Sequence, residues 1–280
     1  MAAPFQILFT DLDGTLLEES TYAFDRALPA IRALQSLRIP IVFCTSKTFA
    51  ETIGLQESLG ITDPFIVENG GAIYFRPGQV EPTGLEVNSR GLWNRVSLGV
   101  PYRALVAQLA ALRELTGIDL RGFSDMTAAE VAADCGLSLE AATQSKQREF
   151  DEPFVLLKDR PEDLARIAQM AQGVGLNVST GGRYHHLSGR SDKGRAVRLL
   201  CEFLRKNRGP LRSVGIGDSP NDLPMLQAVD LPILVQRPDK TYCPDLVEPL
   251  PQAIRAPGVG PEGWNAAVQT LLAKEMGHGR

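Results

Sequence analysis

Two acids, Asp11 and Asp13, stand in FTDLDGTLL directly behind the apolar residues Ile7 and Leu8. In an extended strand, side chains two apart share a face, so both carboxylates point one way and Leu12 points the other. Their repulsion, and the cost of holding them near a core, are relieved by a bound cation or a shared proton. Asp-Gly alone is an ordinary turn signal, but Asp-x-Asp-Gly-Thr behind an apolar strand is far more specific. Three further strand-like runs also end in polar groups. IPIVF is followed by Cys44-Thr45-Ser46-Lys47, PFIV by Glu68-Asn69-Gly70-Gly71, and SVGIG by Asp218-Ser219-Pro220-Asn221-Asp222. Ligands of open α/β sheets bind beyond the carboxyl ends of the strands, so these four endings predict one site.

Some of these residues also fit plain helix starts. Ser219 suits an N-cap, Pro220 the first helical position and Asp222 the favourable end of the helix dipole. Asp218 precedes that cap and has no capping duty left. Ser46 as the cap of a helix beginning at Lys47 leaves the Thr45 hydroxyl free to donate. Lys47 and Lys193 each stand at the head of a predicted helix, where a cation opposes the macrodipole. A local misfit repeated at two helix starts is expected where an anion must be held.

These residue types suit phosphoryl transfer. Asp11, Asp218 and a backbone carbonyl supply hard oxygen ligands for Mg²⁺, with Asp13 and Asp222 completing the acidic set. Asp11 attacks phosphorus in line and becomes an aspartyl-phosphate. Asp13, crowded by other carboxylates, protonates the departing oxygen and later activates water. Thr45 and Lys193 hold the equatorial oxygens, and Gly14 permits a tight turn that presents N–H groups to the phosphate. Ser46, Lys47, Asn69 and Asn221 complete the expected substrate-binding set.

The elements that must position these groups alternate. FQILFTDL, a helix over 27–37, IPIVFCT, a helix over 47–59 and PFIVENGGAIYF read as βαβαβ, an α/β fold with a parallel sheet covered on both faces. Residues 77–84 look like a linker. Mixed segments follow: helices over 102–115 and 161–171, strands in RVSLGV and FVLLK, and a hairpin in NVSTGG and RYHHLSG. The alternation resumes with a helix over 193–206, the strand SVGIGD, a helix through Ala228 and the strand LPILVQ. Residues 1–84 and 190–280 therefore form the expected core, interrupted by an α+β insertion over 85–189. Thr127 and Glu130 have capping-box spacing, and Gly136 stands where that helix should end.

The chain has 280 residues, 44% hydrophobic and 22% charged, with a net charge of −4. No basic patch suggests a nucleic-acid partner, and no apolar stretch approaches the roughly 18 residues of a membrane span. MAAPFQILF lacks the positive leader of a signal peptide. Cys44, Cys135, Cys201 and Cys243 are scattered without CxxC spacing, and His185, His186 and His278 show no ligand spacing against them. A zinc site is disfavoured, and a reducing, cytoplasmic setting is expected.

DLDGT, Thr45 in CTSKT, Lys193 in SDKG and GDSPND resemble, in order and position, the four motifs of the haloacid dehalogenase superfamily of phosphotransferases. The insertion between the second and third resembles the large α/β cap of the Cof-type subgroup, which includes sucrose-phosphate phosphatases. Within the cap, GFSDMTAAEVAADCGLSLEAATQSKQREFDEPF is similar to the corresponding stretch of the mannosyl-3-phosphoglycerate phosphatases, as are GGRYHHLSG and GPEGW near the C-terminus. That resemblance implies a small phosphorylated glycoside as substrate, a 2-O-glycosyl-3-phosphoglycerate hydrolysed to mannosylglycerate or glucosylglycerate, a compatible solute. Arg190-Ser191 in LSGRSDKG departs from the smaller or amide residues common there.

In the cap, Arg148 and Arg183 are candidates to pair with the glycerate carboxylate, for which a guanidinium fork is well shaped. Each also fits a surface ion pair, Arg148 standing near Glu149, Asp151 and Glu152. His185 and His186 alternate on a strand, so one faces the site, and we assign that place to His185. Asp125 and Thr127 read first as capping residues. Gly258-Val259-Gly260-Pro261-Glu262-Gly263 matches the dinucleotide fingerprint, but it contains Pro261, opens no βαβ unit and reads as a loop. Two rival readings remain: another Cof-type sugar-phosphate phosphatase or phosphomutase, and a non-catalytic phosphosugar-binding regulator. A regulator is expected to lose Asp11 or Asp13, and both are present.

Overall fold

A computed structural model of the chain describes residues 7–158, 160–181 and 184–277. From the N-terminus, β1 (Ile7–Thr10), α1 (Leu28–Ser36), β2 (Ile41–Phe43), α2 (Phe49–Leu59) and β3 (Phe65–Val67) alternate. They are followed by β4 (Ala72–Phe75), β5 (Asn88–Arg90) and β6 (Trp93–Ser97). Next come α3 (Tyr102–Thr116), β7 (Leu120–Gly122), α4 (Ala128–Cys135), α5 (Leu139–Ser145), β8 (Asp151–Leu156), α6 (Pro161–Gly173), β9 (Asn177–Gly181) and β10 (Tyr184–Ser188). The alternation returns with α7 (Lys193–Arg208), β11 (Ser213–Gly217), α8 (Leu223–Ala228), β12 (Leu231–Gln236), α9 (Pro244–Val247), β13 (Ile254–Val259) and α10 (Gly260–Gly277).

The main sheet has the order β13-β12-β11-β1-β2 and is parallel throughout. A parallel bridge between Cys44 and Ile66 extends it to β3. Ile7 and Phe9 pack into one apolar cluster and Leu8 into the cluster on the opposite face, and Val42 and Ile41 divide in the same way. Strands covered on both faces must read as continuous apolar runs, and ILF and IVF do. The indole N–H of Trp264, a fully buried residue of α10, donates to Thr10 Oγ1 at 3.0 Å, which ties the end of β1 to the last helix.

PFIVENGGAIYF, expected to supply the third core strand with its end at Glu68-Asn69-Gly70-Gly71, folds into an antiparallel hairpin of β3 and β4. Glu68 and Asn69 both adopt positive φ, and Gly70 follows at φ +92°, so the chain reverses at the end of β3. β4 pairs in turn with β6, and β6 with β5. Residues 88–97, expected in the insertion, thus extend a sheet that begins in the core. The physical reason is register: Ala72 to Phe75 face Ser97 to Asn94 strand to strand.

A separate antiparallel sheet, β7-β8-β10-β9, forms the cap. Leu105, Leu109 and Leu112 of α3 and Ile167 and Ala171 of α6 cover one face, packing on Phe154 and Leu187. Helix α4 carries the expected capping box, Thr127 with Glu130, and ends at left-handed Gly136. The expected cap at Ser46 is not used: Thr48 caps α2, forming a box with Glu51, and Lys47 lies before the helix. The GxGxxG segment is not a plain loop but the junction of β13 and α10. A Cβ on Gly260 would lie 3.3 Å from the Gly14 carbonyl oxygen, so this junction packs on the turn after Asp13. No helix among the described residues is long and apolar enough to cross a membrane.

Gly70 packs against the start of α7, where an added Cβ would lie 2.2 Å from the Asp192 carbonyl oxygen. Gly78 has a similar φ, +82°, but open space around it. Gly70→Ala is expected to destabilise the fold by at least about 2 kcal/mol, and Gly78→Ala by about 1 kcal/mol, the cost of φ alone. Urea denaturation of the two variants measures the difference. Equal losses would show that the close approach carries no energy.

Candidate active site

The carboxyl ends of the core strands meet beneath the cap. β1 delivers Asp11, a residue 5% exposed, and the Lys193 ammonium at the first turn of α7 lies 2.6 Å from its Oδ1. The same ammonium donates to Asp222 Oδ1 at 2.6 Å. The other oxygen of Asp222 accepts the backbone N–H groups of Asp218 and Ser219, each at 3.1 Å. Asp222 is therefore saturated: it fastens Lys193 to the loop after β11. Asp218 Oδ1 accepts the Thr15 hydroxyl at 2.6 Å. A Cβ on Gly14 would lie 3.0 Å from Asp218 Oδ2, and only glycine allows that approach.

Asp11, Asp218 and Asp222 bring carboxylate oxygens within 4.8 Å of one another. Asp11 and Asp218 each keep one oxygen without a hydrogen bond among the described residues. Three acids gathered on one lysine leave net negative charge in a buried place. Burial raises the Asp11 carboxyl well above its usual value, and Asp222 and Asp218 add to the rise against the pull of Lys193. Burial, with Asp222, pushes Asp218 up to about 7. Burial would lower the Lys193 ammonium, but Asp11 and Asp222 outweigh it and hold the charge. An oxygen-only donor set with excess negative charge fits a hard divalent cation.

Asp13 lies outside this cluster, at a separate ion pair with Lys47, 2.9 Å from Nζ. The crowding expected at Asp13 falls on Asp11 and Asp218 instead. The Lys47 ammonium is raised: burial opposes the charge, but Asp13 and Glu51 outweigh it. It also sits 4.7 Å from the centre of the Tyr22 ring. Thr45 is 1% exposed and its hydroxyl oxygen accepts the Lys47 N–H at 3.1 Å, which leaves its proton to donate. Asn69 Oδ1 accepts from Asn221 at 3.3 Å, joining the endings of β3 and β11.

Above this floor opens a cavity of about 660 Å³. Of the residues expected in the site, Asp11, Asp13, Gly14, Asp218, Ser46, Arg148 and Asn221 line it. Thr45, Lys47, Asn69, Lys193 and Asp222 are not among its lining residues; Asn69 and Lys193, with Asn221, line a second cavity of about 180 Å³. Arg148 is no surface pair: it is buried, donating from Nε to the Ser145 carbonyl and from Nη1 to the Ser46 carbonyl, both at 2.8 Å. Arg183 lies outside the described residues.

His185 does not face the cavity. It packs on Phe154 with ring centres 5.5 Å apart and meets Thr180 Oγ1 at 3.0 Å, on the face covered by helices. His186 lines the cavity instead, with Tyr184 of the same strand face, Phe123, Pro153 and Asp134. Parity holds the missed signal. Leu187 is fully buried among α3 and α6, so residues in its phase, His185 included, point to the helices. Asp134 and Tyr184, paired by a hydrogen bond, carry no motif that would single them out.

A family model described as haloacid dehalogenase-like hydrolase matches residues 8–83 and 154–241. A glucosyl-3-phosphoglycerate/mannosyl-3-phosphoglycerate phosphatase of Methanococcoides burtonii is 41% identical over 96% of this chain and 97% of its own. A protein of the same description from Persephonella marina is 37% identical over 95% of this chain and 97% of its own. Among solved structures, protein 0175 of Thermoplasma acidophilum superposes with a TM-score of 0.67 at 17% identity, covering 96% of this chain and 99% of that one.

The raised acid at Asp218 has a signed consequence for stability. Unfolded, an aspartate titrates near about 4; folded and free of metal, this one titrates at about 7. The folded state holds the extra proton between these values, so the contribution is full below pH ~4 and lost as pH rises through about 7. A divalent cation should therefore raise Tm more at pH 8 than at pH 5.5, by about 5 °C or roughly 2 kcal/mol. Asp218→Asn should flatten this difference. Thermal melts in chelator and in metal measure it, and an equal metal effect at both pH values would refute the linkage.

Proposed function

Since this chain belongs to the haloacid dehalogenase-like hydrolases, we propose that it is a Mg²⁺-dependent phosphatase of 2-O-glycosyl-3-phosphoglycerates. The observation that carries the reading is Asp11, which holds one oxygen against Lys193 and turns the other toward the cavity beside Asp218. The likeness to the two glycosyl-3-phosphoglycerate phosphatases extends over nearly the full chain and supports the substrate class. Cys44, Cys135, Cys201 and Cys243 form no disulfide with one another, which supports a reducing, cytoplasmic setting.

Asp11 and Asp218 would hold Mg²⁺, whose charge lets an anionic carboxylate approach an anionic phosphoryl group. Lys193 fixes Asp11 Oδ1, so the free Oδ2 is the oxygen that attacks phosphorus. As the Oδ2–P bond forms, the bond from phosphorus to the glycerate oxygen breaks, and Asp13 gives that oxygen its proton. Lys47 holds Asp13 by Oδ1 and leaves Oδ2 for the proton. Asp13 then takes a proton from water, which attacks phosphorus, releases phosphate and restores Asp11. Thr45 donates its hydroxyl, and the N–H groups of the Gly14 turn face the phosphate.

Asp11→Asn should lower turnover by at least about 10³-fold while metal-dependent substrate binding persists; substantial residual turnover would end its role as nucleophile. Asp13→Asn should slow the release of glycosylglycerate and the release of phosphate alike, by about 10²–10⁴-fold. The substrate reading is tested by phosphate release from mannosyl-3-phosphoglycerate, glucosyl-3-phosphoglycerate, sucrose 6-phosphate and mannose 6-phosphate. A strong preference for the first pair is expected. Comparable weak rates on all four would leave Asp11 as nucleophile and remove the glycerate assignment.

A further inference from the structure

The cap holds a buried carboxylate that the phosphoryl chemistry does not use. Asp151, the first residue of β8, is 0% exposed. Its Oδ2 meets His186 Nδ1 at 2.8 Å, Arg148 Nη1 at 3.4 Å and Asn69 Nδ2 at 3.4 Å. Its Oδ1 has no hydrogen-bond partner among the described residues. A buried carboxylate left half satisfied is costly to the fold and calls for a reason.

The reason lies in the two groups it touches. His186 lines the cavity and is 7% exposed. With Nδ1 engaged by Asp151, its Nε2 is left without a protein partner among the described residues, on the ring edge toward the cavity. Arg148 spends Nε and Nη1 on the Ser145 and Ser46 carbonyls, and Nη2 has no such bond. The cap wall of the cavity thus offers a guanidinium and an imidazole edge, with the balancing acid buried behind them. Sugar hydroxyls could accept from such a wall, but an anion on the substrate matches its charge and makes the stronger, charge-assisted hydrogen bonds. The phosphate belongs to the floor with Asp11 and Asp218, so the anion on the cap side is another group.

We propose that Asp151 is a positioning residue that orients His186, beside Arg148, to read the carboxylate of the substrate. This inference rests on the glycosyl-3-phosphoglycerate reading above and names the residues that distinguish glycerate from other alcohols. With the substrate carboxylate in front and Asp151 behind, the imidazole donates at both nitrogens. Asn69 touches the same Asp151 oxygen and accepts from Asn221, so the reader is registered to the loop that carries Asp218 and Asp222.

The test compares glucosyl-3-phosphoglycerate with 2-O-glucosylglycerol 3-phosphate, in which a hydroxymethyl group replaces the carboxylate. In the unaltered enzyme, a preference for the carboxylate substrate supports the substrate reading, and its absence overturns both that reading and this proposal. Given the preference, His186→Ala should raise KM for the carboxylate substrate at least tenfold with kcat changed less than threefold, so that selectivity falls tenfold. His186→Gln, which keeps a donor, should recover part of the loss, and Asp151→Asn should shift selectivity in the same direction as His186→Ala. Folding is monitored by thermal melts, and inhibition by the product glucosylglycerate gives a second reading of carboxylate binding. Equal losses on both substrates, or selectivity retained in His186→Ala and Asp151→Asn, would overturn the proposal while leaving the substrate reading intact.

Discussion

The structure turns on one buried cation. Lys193, 1% exposed, sits between Asp11 and Asp222 at 2.6 Å from each. An ammonium so deep is tolerable only with anionic partners, and anions so deep only with a cation. The pairing joins the end of β1 to the start of α7 and to the loop after β11, segments far apart in sequence. It also leaves the cluster one cation short. Asp11, Asp218 and Asp222 remain too negative for their burial, and the raised carboxyls of Asp11 and Asp218 express that imbalance. The same excess that strains the metal-free fold creates the affinity for a divalent ion, so binding and stability draw on one source.

Around this centre, backbone is brought closer than side chains would allow. An added Cβ on Gly194, beside Lys193, would lie 2.2 Å from the Pro224 carbonyl oxygen, and one on Gly217 would lie 2.7 Å from the Asp222 side chain. These approaches set α7, α8 and the end of β11 at the distances the lysine needs. Trp264 does the same from the other side, bonding Thr10 immediately before Asp11. Precision at the nucleophile thus comes from packing at residues that never touch substrate.

The cap is seated mainly by polar contacts. The Glu68 carboxylate accepts the backbone N–H groups of Glu149 and Phe150, and burial, eased by Arg148, pushes it up to about 8. Glu149 is held in turn by Tyr74, Arg90 and Arg95, one from each of β4, β5 and β6. The second sheet is therefore a platform for the cap. Phe150 adds an apolar contact against Gly71 and Gly99, where a Cβ would come within 2.8 Å of it. This seating carries Arg148 over Ser46, whose carbonyl accepts from Nη1.

The sequence by itself determined the elements whose signals are local. Apolar runs marked β1, β2 and β11, Thr127 with Glu130 marked the start of α4, and strand-end polar residues marked the floor of the site. Those features depend on neighbours within a few residues, so they are written in order along the chain. The tertiary structure decided what depends on partners elsewhere. Residues 88–97 joined the core-side sheet because β4 offered a matching edge. Asp13 found Lys47 instead of other acids. His186 rather than His185 faced the cavity because Leu187 had already claimed the helix side, and a strand's parity is set by whichever face the core buries. Lys193 and Asp11 are 182 residues apart, and only the fold makes them one group.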